Sequence, residues 1–250
     1  MPQLPARPLA IVKLGDTFPQ LRERRGDFEH WMASGLGTTR LPLRVVDPRR
    51  GDALPPASDI SGAIVSGSHA MVSHRAAWSE ATGRWLAGLV AEGTPVLGIC
   101  FGHQLLADAL GGEAGDHPDG MEIGTVEVEL APAAFDDALL QGLPTRFDAH
   151  VVHAQSALRL PADAVRLAGN GFERTHAFRI GARAWGVQFH PEFDADVMRG
   201  YVDHLADDLR SRGDDPAVLR ERVRQTPAAS SLLERFGQIA EALEDARQAA

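Results

Sequence analysis

A single cysteine, at position 100, stands among the 250 residues. That scarcity excludes an internal disulfide and any zinc site built from several thiolates, and it fits a reducing compartment. Long apolar runs are missing as well, since no stretch approaches the roughly 20 consecutive apolar residues of a membrane helix. A secretory core is absent from Met1 to Pro8, where Pro2, Pro5 and Pro8 precede the short run Leu9 to Leu14. The expectation is a cytoplasmic protein with no membrane partner. Positive charge is in short supply: 25 Lys and Arg face 34 Asp and Glu, for a formal charge of −9. Such a balance disfavours a phosphate backbone, so nucleic acid is not an expected partner. Neither a G-x-x-x-x-G-K-[ST] loop nor a G-x-G-x-x-G turn occurs, and no cofactor is expected.

What remains is the composition of a soluble globular protein, 44% hydrophobic and 24% charged. A chain of this length can bury one large core. Leu9 to Leu14 reads as a buried strand, Leu43 to Val46 and Gly62 to Val65 as further short strands, and Pro48 to Ser58 as a loop rich in Pro, Gly and Asp. A helix is expected around Phe28 to Ser34. Another is expected between Ala76 and Ala91, where Trp78, Trp85, Leu86 and Leu89 recur at helical spacing before the Glu92-Gly93 stop. Pro95 to Ile99 is an apolar strand, followed at once by the helical stripe Phe101, Leu105, Leu106, Ala109 and Leu110. Strands alternating with helices imply βαβ units and a parallel sheet. From Gly124 onward the pattern changes to alternation, in Thr125 to Leu130, with β-like pieces near Val165 to Ala168, Ala177 to Ile180 and Ala184 to Phe189. These predict antiparallel additions. Ala195 to Arg210 and Pro216 to Ala249 are helical in composition, with Ser211 to Pro216 linker-like. The expected division is a main domain over 1–212 and a helical extension over 213–250, packed on or beside it.

Gly98-Ile99-Cys100-Phe101-Gly102 places the lone cysteine where a strand becomes a helix. A nucleophile on so sharp a turn needs small neighbours two residues away on either side, and glycines fill both positions. The positive end of the following helix favours thiolate over thiol, and its free amides can donate to an oxyanion. Taken alone, a single cysteine is often a small buried hydrophobe. Attack on an amide also needs a histidine that returns a proton to the departing nitrogen. Among ten histidines, His190 has suitable surroundings: the strand-like run Trp185 to Phe189 must end at Pro191, which cannot donate to a ladder. Residues two apart on extended chain share a side, about 6.6 Å apart, so Glu192 can reach back to the imidazole. The turn Ser66-Gly67-Ser68-His69 after a strand can aim backbone amides at a carbonyl oxygen. His150 and His153 do not make a full ligand set, and no metal site is expected.

The blocks Gly98-Ile99-Cys100-Phe101-Gly102-His103-Gln104 and Gly186-Val187-Gln188-Phe189-His190-Pro191-Glu192 resemble, in order and nearly letter for letter, those of the class I (triad) glutamine amidotransferases. The resemblance covers about Leu9 to Leu209. Gly15-Asp16, Gly67 to Val72 and His153-Ala154-Gln155-Ser156 make it most similar to stand-alone proteins like the glutaminase domain of GMP synthetase. It implies an open, mostly parallel sheet flanked by helices, of flavodoxin-like architecture with antiparallel additions. It also implies an enzyme in which Cys100 attacks the glutamine side-chain amide, His190 shuttles the proton and Glu192 orients it. Backbone N–H groups of Phe101 and of the Gly67-Ser68 turn would hold the oxyanion. Gln104 and the backbone at Gln155 and Ser156 would grip the amino-acid end. Two departures stand out. The oxyanion turn, commonly G-G-P or G-P-G, has Ser68-His69 here, and no S-G-G-x-D-S loop of an ATP-pyrophosphatase is present.

A glutaminase would then pass ammonia to a synthetase or other acceptor protein, and an oligomer is compatible with this. A γ-glutamyl peptidase acting on γ-glutamyl peptides or glutathione conjugates uses the same chemistry. A non-catalytic regulatory or binding module usually loses a triad member, whereas all three are present. A thiol α/β-hydrolase normally places its acid before a distant histidine, unlike His190-Pro191-Glu192.

Overall fold

The computed structural model describes residues 5–249. Strand β1 (Leu9–Val12) leads through helices α1 (Pro19–Arg25) and α2 (Phe28–Gly35) to β2 (Leu43–Val46) and then β3 (Gly62–Val65). Next come α3 (Ala77–Ala91), β4 (Val96–Ile99), α4 (Phe101–Ala109), β5 (Glu113–Asp116) and β6 (Glu122–Leu130). The chain continues through β7 (Arg146–His153), β8 (Gln155–Arg159), β9 (Val165–Gly169), β10 (Ala177–Ile180) and β11 (Ala184–Val187). It closes with α5 (Ala195–His204), α6 (Ala206–Ser211), α7 (Pro216–Arg222) and α8 (Pro227–Ala249). No described helix is long and apolar enough to cross a membrane.

The main sheet has nine strands in the order β2-β1-β3-β4-β11-β10-β9-β6-β7. From β2 to β11 the neighbours are parallel, and from β11 to β7 they are antiparallel, as the change of sequence pattern after Gly124 predicts. β5 and β8 form a separate antiparallel pair. β1, β3 and β4 are buried on both faces, which is why they read as unbroken apolar runs, whereas the edge strand β2 is exposed along most of its length. Their side chains alternate between two cores. Leu9, Ile11, Ile64, Leu97 and Ile99 face one side, and Ala10, Val12, Ala63, Val65 and Val96 the other.

Helix α8 carries Ala229, Leu232, Leu233, Phe236 and Ala240 at helical spacing, all within the first of these cores. Phe236 meets Trp185 edge-on at 6.3 Å, and buried Glu244 accepts from the Arg7 guanidinium at 2.8 Å. Helix α1, the strands β5, β7 and β8, and short 3-10 turns at Pro48–Arg50 and Ala57–Asp59 are elements that the sequence reading did not anticipate. The last two correct the reading of Pro48 to Ser58 as plain loop; in the first turn the Asp47 side chain accepts from the Arg49 N–H.

Candidate active site

Strand order decides which loops can meet. β4 lies between β3 and β11, with Gly98 opposite Val65 and Ile99 opposite Val187. Three parallel strands therefore release their chains side by side at their C-terminal edge, the usual place for a site in an open α/β sheet. β4 delivers Cys100, β3 delivers Ser66-Gly67-Ser68, and β11 delivers Gln188 to Glu192.

Cys100 has φ +51° and ψ −100°, and only Arg75 shares a positive φ among described non-glycine residues. Such a backbone costs on the order of 1–3 kcal/mol and persists only where its surroundings hold it. They do: the Cys100 N–H donates to the Val187 carbonyl at 2.8 Å, and its own carbonyl accepts from Gln104 at 3.0 Å. A Cβ on Gly98 would lie 2.5 Å from the Gly102 carbonyl oxygen, and one on Gly102 would lie 2.6 Å from that of Val65. Both glycines are thus required by contact, as the elbow pattern predicts.

The turn after β3 closes against the same point. Ser66 Oγ accepts from the Leu14 N–H and donates to the Gly67 carbonyl, both at 2.8 Å. A Cβ on Gly67 would stand 3.0 Å from His190 Cε1 and 3.6 Å from Cys100 Cβ. Among the described residues the N–H groups of Gly67 and Ser68 donate to no protein acceptor. Phe101 is the first residue of α4, so its N–H is one of the helix's unpaired leading amides.

His190 is fixed from three sides. Its N–H donates to the His150 carbonyl at 2.8 Å, its Nδ1 lies 2.8 Å from Glu192 Oε1, and its ring stacks on Phe193 at 4.1 Å. Nε2 is buried and without a hydrogen-bond partner among the described residues, as expected of an atom kept for a substrate. Burial by itself would lower the imidazole pKa. The Glu192 carboxylate and the Cys100 sulfur outweigh it and hold the value up at about 10, so the ring keeps its proton at neutral pH.

A cavity of about 270 Å³ opens over Cys100. Ser68, Phe101, Gln104 and Gln155 line it. Gln104 Nε2 donates to the Gln155 carbonyl at 2.7 Å and to Gln188 Oε1 at 3.0 Å, so Oε1 is the atom left for a ligand. Ser156 does not line the cavity. Neighbouring residues of a strand face opposite ways, and Ser156 Oγ turns to the buried Glu173 carboxylate, so only its backbone is placed to meet a ligand. The sulfur of Cys100 lies 3.8 Å from the Val152 carbonyl oxygen. Further walls come from His69, noted in the sequence only as part of the turn, and from Phe18, Met121, Tyr201 and Leu205, which the sequence reading did not single out. For His69 the available signal was its place directly after the Gly67-Ser68 turn. For Leu205 it was the i+4 spacing from Tyr201, the one tyrosine of the chain.

His150 and His153 lie three apart on β7 and face opposite ways. His150 Nδ1 is 3.2 Å from Thr125 Oγ1, whereas His153 Nε2 is 3.1 Å from Glu122 Oε2. Among the described residues no group of three or more His, Cys, Asp or Glu is arranged to hold a metal.

Buried neutral histidines around this site make the fold sensitive to acid. His103 is fully buried beside Phe178, and desolvation lowers its pKa to about 3; His150 is lowered to about 4, by burial first and then by His190. The unfolded chain takes up these protons near pH 6.5 while the folded chain refuses them. Stability should therefore fall as pH drops from about 6.5, by roughly 1.4 kcal/mol per pH unit for each such group until its folded pKa is reached. Thermal melts at pH 7, 5.5 and 4.5 should show progressively lower midpoints, and a flat series would contradict buried neutral imidazoles. His190 works in the opposite direction, its contribution being complete below pH 6.5 and lost as pH rises toward 10.

Fold and site together define an α/β enzyme-like scaffold that presents a cysteine, a histidine and a carboxylate at the edge of a parallel sheet. The family model of glutamine amidotransferase class-I matches residues 25–202. The chain belongs to this family of enzymes. It is 40% identical over 172 residues to the glutamine-hydrolysing GMP synthase of Aeropyrum pernix, a match covering 67% of this chain and 31% of that protein. It is 30% identical over 116 residues to gamma-glutamyl peptidase 3 of Arabidopsis thaliana, covering 44% of this chain and 45% of that one. A glutamine amidotransferase structure from Thermotoga maritima superposes with a TM-score of 0.70 at 19% identity, covering 96% of this chain and 99% of that one, a likeness of fold. The chain thus spans about a third of the length of the first relative.

Proposed function

We propose that the protein hydrolyses γ-glutamyl amides, glutamine among them, through a γ-glutamyl thioester on Cys100. The single observation that carries this reading is the meeting of Cys100, Gly67 and His190 at one point beneath the cavity, with Glu192 behind the imidazole. The Cys100 sulfur attacks the amide carbon beside the already protonated His190. As the C–S bond forms, the carbonyl oxygen becomes an oxyanion between the N–H groups of Phe101 and of the Gly67-Ser68 turn. His190 Nε2 then gives its proton to the nitrogen as the C–N bond breaks, and ammonia or an amine departs. Water, deprotonated by the same imidazole, attacks the thioester and returns glutamate and Cys100. Glu192 keeps Nε2 aimed at the sulfur throughout. Gln104 Oε1 and the Gln155 backbone receive the amino-acid end. Ser156 reaches it only through the backbone.

The relative in A. pernix is named for glutamine hydrolysis within a longer chain, which supports passage of ammonia to a separate synthetase or acceptor protein. The A. thaliana relative supports a second reading, in which the leaving group is a peptide amine and no acceptor is needed. Incubation with a diazoketone analogue of glutamine, followed by peptide mass mapping, should place the adduct on Cys100 at neutral pH. Glutamine or a γ-glutamyl amide should protect against it. An unlabelled Cys100 together with no release of ammonia or amine from either class of compound would overturn the proposal.

A further inference from the structure

The cavity over Cys100 has two unlike ends. One is polar: Gln104, Gln155 and the backbone of the β7–β8 turn offer neutral acceptors and donors. The other is aromatic and aliphatic. Phe18 stacks on His69 at 4.5 Å and tilts against Tyr201 at 4.9 Å, and His69 Nε2 lies 3.3 Å from the Tyr201 hydroxyl. Leu205, one helical turn beyond Tyr201, and Met121 complete this wall. The aromatic end belongs to the leaving-group side, because it is continuous with the proton donor: His190 stacks on Phe193 at 4.1 Å, and Phe193 packs on Tyr201 at 5.0 Å. The amine nitrogen must meet His190 Nε2, so whatever the amine carries extends along this wall.

Charge is absent there. No lysine, arginine, aspartate or glutamate lines the cavity. Lys13, the buried cation following β1, is engaged by Asp16 at 3.1 Å and by Asp27 and Glu29 at 2.8 Å each. His69 is pulled toward its neutral form by burial against Phe18 and Tyr201 and by the nearby His190. A leaving amine bearing a carboxylate, as every amino acid or peptide does, would bring that charge to an apolar wall whose one nearby cation, the His190 imidazolium, gives up its proton to the departing nitrogen. Free ammonia would leave the wall unused. The volume of about 270 Å³, which holds the glutamyl group and the amine together, lies just below the usual range for small-molecule pockets, about 300–1,000 Å³.

Building on the γ-glutamyl amidase reading above, we infer that the substrate class is a γ-glutamyl amide of an uncharged apolar amine, aromatic or branched aliphatic, whose side group lies against Phe18, His69, Tyr201 and Leu205. The protein removes the glutamyl group from such an amine by hydrolysis, and the reaction supplying its substrate must be an ATP-type ligation of glutamate to that amine, or a γ-glutamyl transfer onto it.

The test compares kcat/KM for γ-glutamyl benzylamide, γ-glutamyl methylamide, glutamine and γ-glutamylglycine, alkylamides being chosen so that leaving-group basicity changes little. Benzylamide should exceed methylamide and γ-glutamylglycine by roughly tenfold or more, the range that burial of apolar groups in a specificity pocket gives. Phe18→Ala and Leu205→Ala, at half-buried positions, should each lower the benzylamide-to-glutamine ratio severalfold. Leu205→Arg should raise γ-glutamylglycine relative to benzylamide. Equal or better turnover of glutamine or γ-glutamylglycine by the wild type, or ratios unmoved by both alanine variants, would overturn the inference while leaving the amidase reading in place. Labelling of Cys100 by the diazoketone with no turnover of benzylamide would do the same. Failure of the amidase reading is distinguished by an unlabelled Cys100 and inactivity on all four amides.

Discussion

Replacing Cys100 with alanine should lower kcat for any γ-glutamyl amide by roughly 10⁴-fold or more, the scale on which removing a covalent nucleophile acts when the rest of its machinery remains. The melting temperature should move by only a few degrees. Cys100 sits at the head of α4 with its backbone bonded on both sides, to Val187 and Gln104, and alanine keeps both bonds. Its sulfur makes the 3.8 Å approach to the Val152 carbonyl, which is weak, and helps hold the proton on His190, a part that Glu192 at 2.8 Å continues to play. Alanine also leaves the positive φ as it is, so no new strain enters. Activity and stability should therefore separate cleanly, with turnover read by ammonia or amine release and folding by a thermal melt. A biological effect that survives Cys100→Ala would instead point to the non-catalytic binding module. Residual turnover within about tenfold of wild type would mean that another group carries out the attack.

Much of this site was legible because its chemistry is concentrated in two short blocks whose backbone demands are local. Gly98 is required for a reason that acts over four residues, contact with the Gly102 carbonyl, whereas Gly102 is required by the Val65 carbonyl of the neighbouring strand. Pro191 ends a strand for an equally local reason. Strands β1, β3 and β4 were readable because burial on both faces leaves unbroken apolar runs. What escaped notice depends on partners far along the chain. β7 has a mixed burial pattern without clean alternation, since its ends and faces meet different neighbours, including α8 and β6. β5, Glu-Ala-Gly-Asp, has almost nothing apolar to mark it and exists because β8 pairs with it. The aromatic wall is the same kind of case. Phe18, His69 and Tyr201 come from three segments and carry no common pattern, and only the packing of the β1 loop, the β3 turn and α5 brings their rings within 6 Å of one another.

Gly98→Ala is expected to abolish activity and to destabilise the fold together, by about 3 kcal/mol or more. The argument is steric and does not depend on any assignment of catalytic roles. The new methyl carbon would stand 2.5 Å from the Gly102 carbonyl oxygen and 2.6 Å from its carbon, backbone atoms at the start of α4. Neither side can yield. Gly98 is held in the centre of the sheet between β3 and β11, and Gly102 is pressed against the Val65 carbonyl so closely that its own Cβ would be 2.6 Å from that oxygen. Relief would require α4 to lift from the sheet, carrying Phe101, Leu105 and Leu106 out of the core they share with Val65 and Val96. The same movement would withdraw the Phe101 N–H from the oxyanion position and swing Cys100 away from His190. Denaturant titration of Gly98→Ala beside Cys100→Ala separates the two kinds of defect. The first should show a lowered midpoint and no diazoketone labelling, and the second a native midpoint. A Gly98→Ala protein of unchanged stability with a labelled cysteine would show that the elbow is looser than three interlocked backbones allow.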